Sequence, residues 1–418
     1  MAEKRIVLSR CGGIDPQDIG AYIAKGGFSG FVKARDKMKP DAIIAEVKKS
    51  GLTGRGGAGF NTGLKWELAR HAKAKEKYLL CNADEGEVGA FKDKYILAND
   101  PFGLIEGMLI AGLAIGAQQA FIYLRKEYHF LYGPLGRAIE QARDKGYLKH
   151  TDIRVFEGAG AYICGEESAL MNSIEGRRGE SRYKPPYPPT RGLWGLPTNI
   201  NNVETLMNIP HIISNGAAWF SAMGTGRSKG TKVFSVSGDV SRPGVYELEM
   251  GSTLRELVVE LAGAEDVRAV QIGGATGNIL PASMLDTPLS HETYLGSGAV
   301  VALNSRRDII DVVHNNMHFL NDESCGKCTP CREGTEVMLE IYGRLTRGEG
   351  HEKDIEALDS LARAMAASSL CGLGQAAAVP VLDSLKYFYN DYIDRINQSY
   401  FLRSYLGDEL FKSEEGIR

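Results

Sequence analysis

Gly54-Arg55-Gly56-Gly57-Ala58-Gly59-Phe60-Asn61-Thr62-Gly63-Leu64-Lys65-Trp66 holds five glycines in thirteen residues. Glycine is costly inside a helix or strand and is kept where the backbone turns through positive φ or must approach something closely. Glycines 54, 56 and 59 fit the G-x-G-x-x-G spacing, which turns backbone N–H groups and a helix start toward a phosphate. The residues before it, Lys48-Lys49-Ser50-Gly51-Leu52-Thr53, read as a helix end and a turn, where a dinucleotide fingerprint expects a strand. A surface turn is the bland reading. A loop wrapped around a phosphorylated cofactor explains the glycines better.

Downstream, from Gly63 to about Asn215, strand-like and helical runs alternate. Tyr78-Leu79-Leu80-Cys81 precedes a helical Leu104 to Ala117, Phe121-Ile122-Tyr123-Leu124 precedes Leu135 to Lys145, and Ile153-Arg154-Val155-Phe156 precedes Glu166 to Glu175. This predicts an α/β domain with helices on a sheet, and ligands beyond the carboxyl ends of its strands. Three segments fall at such positions. Asn82-Ala83-Asp84-Glu85-Gly86-Glu87 packs three carboxylates into four residues, either a solvated loop or a set of acceptors for hydroxyl-rich ligands. In the second role they would favour NADH over NADPH. Gly158 to Ser168 is a glycine-rich strand end entering an acidic helix start, where Glu166 and Glu167 also suit the helix dipole. Asn199-Ile200-Asn201-Asn202-Val203-Glu204-Thr205 reads as a capped helix start, behind an extended covering loop at Lys184 to Pro189.

Before the glycine loop, Asp15 and Pro16 are expected to open a short helix ended by Gly26-Gly27, and Pro40 a second ended by Gly51. Residues 232–304 read as a small β-grasp unit with a helix from Ser252 to Ala262. Beyond it the chain is helical, over Asp308–Phe319, Thr335–Thr346, Asp354–Ala367 and Val379–Ile396. The expected domains are 1–62, 63–230, 231–305 and 306–418.

The helical region carries Cys325-Gly-Lys-Cys328-Thr-Pro-Cys331 and, forty positions on, Cys371-Gly372-Leu373-Gly374. Three thiolates on one tight loop plus a distant fourth suit the four corners of a [4Fe-4S] cluster. Zinc is the alternative, but it favours two separated C-x₂-C pairs or Cys/His mixtures, and no histidine has matching spacing. Of the seven cysteines, Cys11 and Cys164 read as packed thiols.

A net charge of −3 and a pI near 6.3 give no reason to expect nucleic acid. The longest apolar stretch, Met108 to Leu124, is broken by Gln118 and Gln119 and is too short to span a bilayer. A cytoplasmic protein, at most peripheral to a membrane complex, is expected.

Gly54–Trp66, Cys81–Glu85, Tyr162–Glu167, Asn201–Thr205 and Cys325–Arg332, in this order, resemble the NADH-binding flavoprotein subunit of respiratory complex I. The diaphorase subunits of soluble NAD-linked hydrogenases and formate dehydrogenases share these motifs. The resemblance implies a Rossmann-like FMN domain, a ubiquitin-like domain and a helical bundle holding a [4Fe-4S] cluster on Cys325, Cys328, Cys331 and Cys371. It implies non-covalent FMN on the loop Gly54, Arg55, Gly56, Gly57 and Ala58, surrounded by Lys65, Asn82, Asp84, Glu85, Glu87, Gly165, Asn201, Asn202 and Thr205. NADH is expected near Phe60, with Glu87, Tyr162, Glu166 and Glu167 close by. No side-chain acid or base is required, because the flavin receives the hydride directly.

Asn61 stands where that family usually has proline, a change the remaining glycines should tolerate. Several soluble relatives are fused to a thioredoxin-like [2Fe-2S] domain before the motif and to ferredoxin-like repeats after the fourth cysteine; neither is expected here. Electrons are therefore expected to leave through partners, a thioredoxin-like [2Fe-2S] subunit and a larger iron–sulfur or catalytic subunit. Arg10–Pro16 and Cys371–Ala376 resemble the soluble group more than complex I. A flavin-free iron–sulfur scaffold is the rival from another class.

Overall fold

The computed structural model describes residues 3–396; positions 1, 2 and 397–418, at the ends of the first and last expected domains, lie outside the described residues. The chain forms two compact units. One runs through Glu265 and takes in Gln271–Gly274 and Ser283–Ala302. The other holds Asp266–Val270, Ala275–Ala282 and the chain from Leu303 on.

In the first unit, helices α1 (Ile19–Ala24), α2 (Ser29–Lys37) and α3 (Pro40–Ser50) precede the glycine loop, which ends on α4 (Thr62–His71). Asp18, rather than Asp15, caps α1: its carboxylate accepts the Gly20 N–H at 2.7 Å, while Asp15 closes a turn on Gln17. Helix α2 lies between the two helices that the sequence marks by their start and stop residues. Pro40 does start α3, whose Ile43, Ile44 and Val47 are buried and whose end is Gly51 at φ 72°.

The central sheet is all parallel, in the order β3-β2-β1-β4: β1 (Tyr78–Ala83), β2 (Gln119–Leu124), β3 (Asp152–Glu157) and β4 (Thr198–Asn202). Between them run α5 (Lys92–Asn99), α6 (Pro101–Ile115), α7 (Tyr132–Asp144) and α8 (Glu167–Ile174); α9 (Val203–Asn215) and α10 (Ala217–Ser221) follow. Parallel strands need such crossovers, and they cover the sheet. Strand β4 corrects the expectation for Asn199–Asn201, which are strand residues; Asn202 alone caps α9, its side chain accepting the Glu204 N–H. An asparagine-rich strand has no apolar run to announce it.

Every residue of α6 except Leu113 is buried. With α5 it forms a pair bent by 97°, and no single described helix is long and apolar enough to cross a membrane. Helix α6 crosses α9 at Gly107, where a Cβ would lie 2.2 Å from the Leu206 carbonyl oxygen. Gly107→Ala is therefore expected to destabilise the protein by ~1–3 kcal/mol through overpacking, read as a lower urea midpoint; an unchanged midpoint would mean the crossing is loose.

Also in this unit, β5 (Thr231–Gly238) pairs antiparallel with β6 (Gly244–Glu249) and parallel with β9 (Ala299–Asn304). The region 232–304 also holds β7 (Val267–Ile272), divided between the two units, and β8 (Asn278–Pro281), which belongs to the second. Its helix is a π-helical turn over Glu256–Leu261. Thr253 caps it in place of Ser252, exchanging hydrogen bonds with Glu256 in both directions.

The second unit contains α11 (Ile309–Asp322), α12 (Thr329–Thr346), α13 (Glu352–Ser368), α14 (Gly372–Ala376) and α15 (Ala378–Tyr387). Helix α12 begins at Thr329, ahead of the expected Thr335, because Pro330 is well placed in a first turn. The helix expected over Val379–Ile396 is interrupted at Phe388.

Candidate functional site

From β1 the chain steps sideways to β2 and β3, then returns to the other side of β1 with β4. Ligands in open α/β sheets bind at such a reversal, outside the carboxyl ends of the strands. Register fixes what stands there: Asn82 of β1 is paired with Asn202 of β4.

The glycine loop is tied to this edge. The Arg55 N–H donates to Thr205 Oγ1 at 2.9 Å, and a Cβ on Gly56 would lie 3.1 Å from Asn202 Cβ. Gly57 and Gly59 have φ of 115° and 65°, a region that side chains avoid. Among the described residues, the N–H groups of Gly56, Gly57, Ala58 and Gly59 donate to no other group. Asn61 then caps α4, accepting the Leu64 N–H at 2.9 Å. Unused amides beside a helix start form a seat for phosphate, so the loop fits a phosphorylated flavin. The expected departure from proline at 61 thus supplies a cap.

Around the loop, Trp66 Nε1 donates to Asn201 Oδ1 at 2.8 Å and Asn82 Nδ2 to the Gly165 carbonyl at 2.8 Å. A Cβ on Gly165 would lie 3.4 Å from the Asp84 carbonyl oxygen. The Tyr162 hydroxyl donates to Glu87 Oε2 at 2.8 Å. Lys65 Nζ is 2.9 Å from Glu167 Oε2. Phe60 is 50% exposed and free to stack.

Two residues turn away from this cluster. Arg55 is fully buried, and its guanidinium donates to Thr53 and to the Thr231 carbonyl; only its backbone faces the loop. The Glu85 carboxylate points inward, accepting from Asp93 N, Lys94 N and Tyr128 Oη at 2.9, 3.0 and 3.0 Å. Burial, with Asp93 adding to it, pushes this carboxyl up to about 7.

Lys184 was not singled out by sequence, yet its Nζ lies 2.8 Å from Glu166 Oε1 and 3.0 Å from Glu167 Oε1. The supposedly acidic corner is thus a mixed-charge cluster. Despite burial, Lys184 keeps the Glu166 carboxyl below the usual range, and Lys65 and Lys184 do so for Glu167. Glu166 also caps α8, accepting from Ser168 N and Ala169 N. A lysine ahead of two prolines gives little sign of reaching back across the fold.

In the second unit, Cys328 caps α12, Cys331 lies in its first turn, and Cys371 caps α14. Gly326 turns the loop at φ 71°, and Arg332 clamps it by donating to the Gly326 carbonyl at 2.7 Å. Gly374 lets α14 close on α12: a Cβ there would lie 2.9 Å from Cys331 Cβ. Burial pushes the Cys331 thiol up to about 11; the Ser324 hydroxyl opposes this, while Cys328, Cys371 and Cys325 add to it electrostatically. Among the described residues no three His, Cys, Asp or Glu side chains close on one ion; a cube asks for a wider set, one thiolate per iron. The donor set fits a [4Fe-4S] cluster. Cys11 and Cys164 are buried, as expected for packed thiols.

Comparison with known proteins matches the regions that hold the glycine loop and the four cysteines. The Nuo51 FMN-binding domain matches residues 47–211, an SLBB domain residues 233–275, and the NADH-ubiquinone oxidoreductase-F iron–sulfur binding region residues 311–395. The chain is 43% identical over 93% of its length to the NADP-reducing hydrogenase subunit HndC of Solidesulfovibrio fructosivorans, covering 82% of that protein. It is 40% identical over 90% of its length to the mitochondrial NADH dehydrogenase (ubiquinone) flavoprotein 1 of Dictyostelium discoideum, covering 83% of it. A crystal structure of an NAD⁺-reducing [NiFe]-hydrogenase superposes with a TM-score of 0.87 at 40% identity, over 94% of this chain and 67% of that one. These matches make the chain an oxidoreductase subunit that uses FMN, a [4Fe-4S] cluster and NAD(H). It belongs to the family of NADH-oxidising flavoprotein subunits shared by complex I and the NAD-linked hydrogenases.

Proposed function

We propose that this chain is the diaphorase subunit of a soluble multi-subunit complex, in which a hydrogenase, formate dehydrogenase or aldehyde oxidoreductase exchanges electrons with NAD(H), and that it resides in the cytoplasm. The Arg10–Pro16 and Cys371–Ala376 segments favour this over membership of respiratory complex I. The partners we infer are a thioredoxin-like [2Fe-2S] subunit and a larger iron–sulfur or catalytic subunit. Functionally the chain divides into 1–62, 63–230, 231–305 and 306–418.

FMN supplies hydride exchange with the nicotinamide, and the cluster supplies one-electron transfer onward. The observation that carries the reading is the seat formed where the bare amides of Gly56–Gly59 meet Thr205 and Asn202. Those amides take the phosphate, and α4 adds the positive end of its dipole. Asn82, Asp84, Asn201, Asn202, Lys65 and Gly165 surround the flavin, while Arg55 and Glu85 hold the surrounding backbone in place without touching it. Phe60 stacks against the nucleotide, and Glu87, Tyr162, Glu166 and Glu167 line its path. None of these side chains moves a proton.

Anaerobically purified protein tested for flavin absorbance, with bleaching by NADH and identification of co-purifying chains, decides the matter. Protein without flavin would leave only a scaffold. Glu167→Gln removes the carboxylate shared by Lys65 and Lys184, so a 2′-phosphate meets less negative charge. The ratio of kcat/KM for NADH to that for NADPH is expected to fall about tenfold, equivalent to ~1.4 kcal/mol. An unchanged ratio would remove Glu167 from the nucleotide path.

A further inference from the structure

We propose that Ser324 and Ser369 set the reduction potential of the cluster by donating hydroxyl hydrogen bonds to its sulfur shell at the Cys331 corner. The inference rests on the assignment of Cys325, Cys328, Cys331 and Cys371 as ligands. Ser324 Oγ lies 3.3 Å from Cys331 Sγ and accepts the Gly326 N–H at 3.3 Å. Having accepted one hydrogen, the hydroxyl keeps its own to give, and a ligated sulfur carries no proton and can only accept. The direction of the bond is thereby fixed, from oxygen to sulfur.

Ser369 borders the same corner through Gly374. It is 6% exposed, and its Oγ has no hydrogen-bond partner among the described residues. A Cβ on Gly374 would lie 2.5 Å from this oxygen and 2.9 Å from Cys331 Cβ, so hydroxyl and ligand border the same gap. A buried hydroxyl without a partner is unfavourable, and the sulfur shell offers it an acceptor. Cys331 is also the one buried cysteine of the four, so hydrogen bonds at that corner are poorly screened.

Reduction by one electron adds one negative charge to the cluster, and no bond forms or breaks. Donors aimed at sulfur stabilise the more negative form and raise the potential. The two serines therefore make the cluster a better electron acceptor for the flavin.

The test is a potentiometric titration of the anaerobically purified full chain, followed by the EPR signal of the reduced cluster, with iron counted for each variant. Ser324→Ala is expected to keep its iron and to titrate at a more negative potential. At the wild-type midpoint its reduced-to-oxidised ratio should drop about fivefold. Ser324→Thr, which keeps the hydroxyl, should restore the ratio to within about twofold. Ser369→Ala should shift in the same direction. Iron-loaded Ser324→Ala at the wild-type potential would overturn the proposal. If Ser324→Ala loses its iron, Ser369→Ala decides: a negative shift supports the proposal and an unchanged potential overturns it. Wild-type protein without a cluster would overturn the ligand assignment, and the proposal with it.

Discussion

Cys371→Ala is expected to abolish onward electron transfer while leaving reduction of the flavin by NADH intact. The four cysteines lie in the second compact unit and the glycine loop in the first, so losing one corner of the cluster need not disturb the flavin seat. Three thiolates on the 325–331 loop leave one iron of a four-iron cube without a protein ligand, which opens that corner to solvent and to loss of iron. Steady-state transfer to a one-electron acceptor that takes electrons from the cluster should fall by at least about 100-fold, a barrier increase of ~2.7 kcal/mol. Single-turnover bleaching of the flavin by NADH should stay within about twofold of wild type. Full downstream activity would show that Cys371 is not a ligand. Simultaneous loss of flavin reduction would show that the two units do not act separately.

The second large effect concerns a buried ion network that supports the glycine loop. Lys232 and Glu204 are both fully buried, with Lys232 Nζ 2.6 Å from Glu204 Oε2 and the Val233 N–H 2.8 Å from Glu204 Oε1. Lys92 Nζ adds a contact to Glu204 at 3.0 Å and one to Asp93 at 2.7 Å. Burial pulls the Lys232 ammonium down to about 8, against the attraction of Glu204. Despite the same burial, Lys232, Lys92 and Arg55 together hold the Glu204 carboxyl below its usual range. Glu204 precedes Thr205, the anchor of the Arg55 amide. Removing one partner of a buried pair costs more than the pair contributed, because a charge stays behind without its counterpart. Lys232→Met is expected to cost ~3 kcal/mol, at the lower end of that range because Lys92 remains. FMN should be retained less well at the same time. A chemical denaturation midpoint equal to that of wild type would show that the network is not a support.

What the sequence disclosed and what it hid follow from how local each signal is. The β1 run, the buried helix α6, the Pro40 start and the cysteine spacing are short-range patterns, and each appears within a residue or a few of where it was expected. Strand β4 was hidden because Thr198-Asn199-Ile200-Asn201-Asn202 has the composition of a loop, and its place in the sheet comes from pairing with β1. The inward turn of Glu85, the bridge from Lys184 to Glu166 and Glu167, and the Lys232–Glu204 pair join residues 8 to 43, 17 to 18 and 28 positions apart. Such contacts leave no periodic trace. Three carboxylates in Asp84–Glu87 looked equivalent in the sequence, yet the fold assigns Glu85 to capping backbone amides and pairs Glu87 with Tyr162. The motifs holding Asn82 and Asn202 are conspicuous in the sequence, and paired strand ends of one parallel sheet bring those two residues together.

The most direct test of the central claim is one experiment on the full chain, purified without oxygen and mixed with NADH while visible absorbance and EPR are recorded together. One FMN and four irons per chain are expected, with bleaching of the flavin band on mixing and a one-electron signal from the reduced cluster. A protein that binds no flavin, or whose iron stays oxidised while bound flavin is fully reduced, would contradict the central claim.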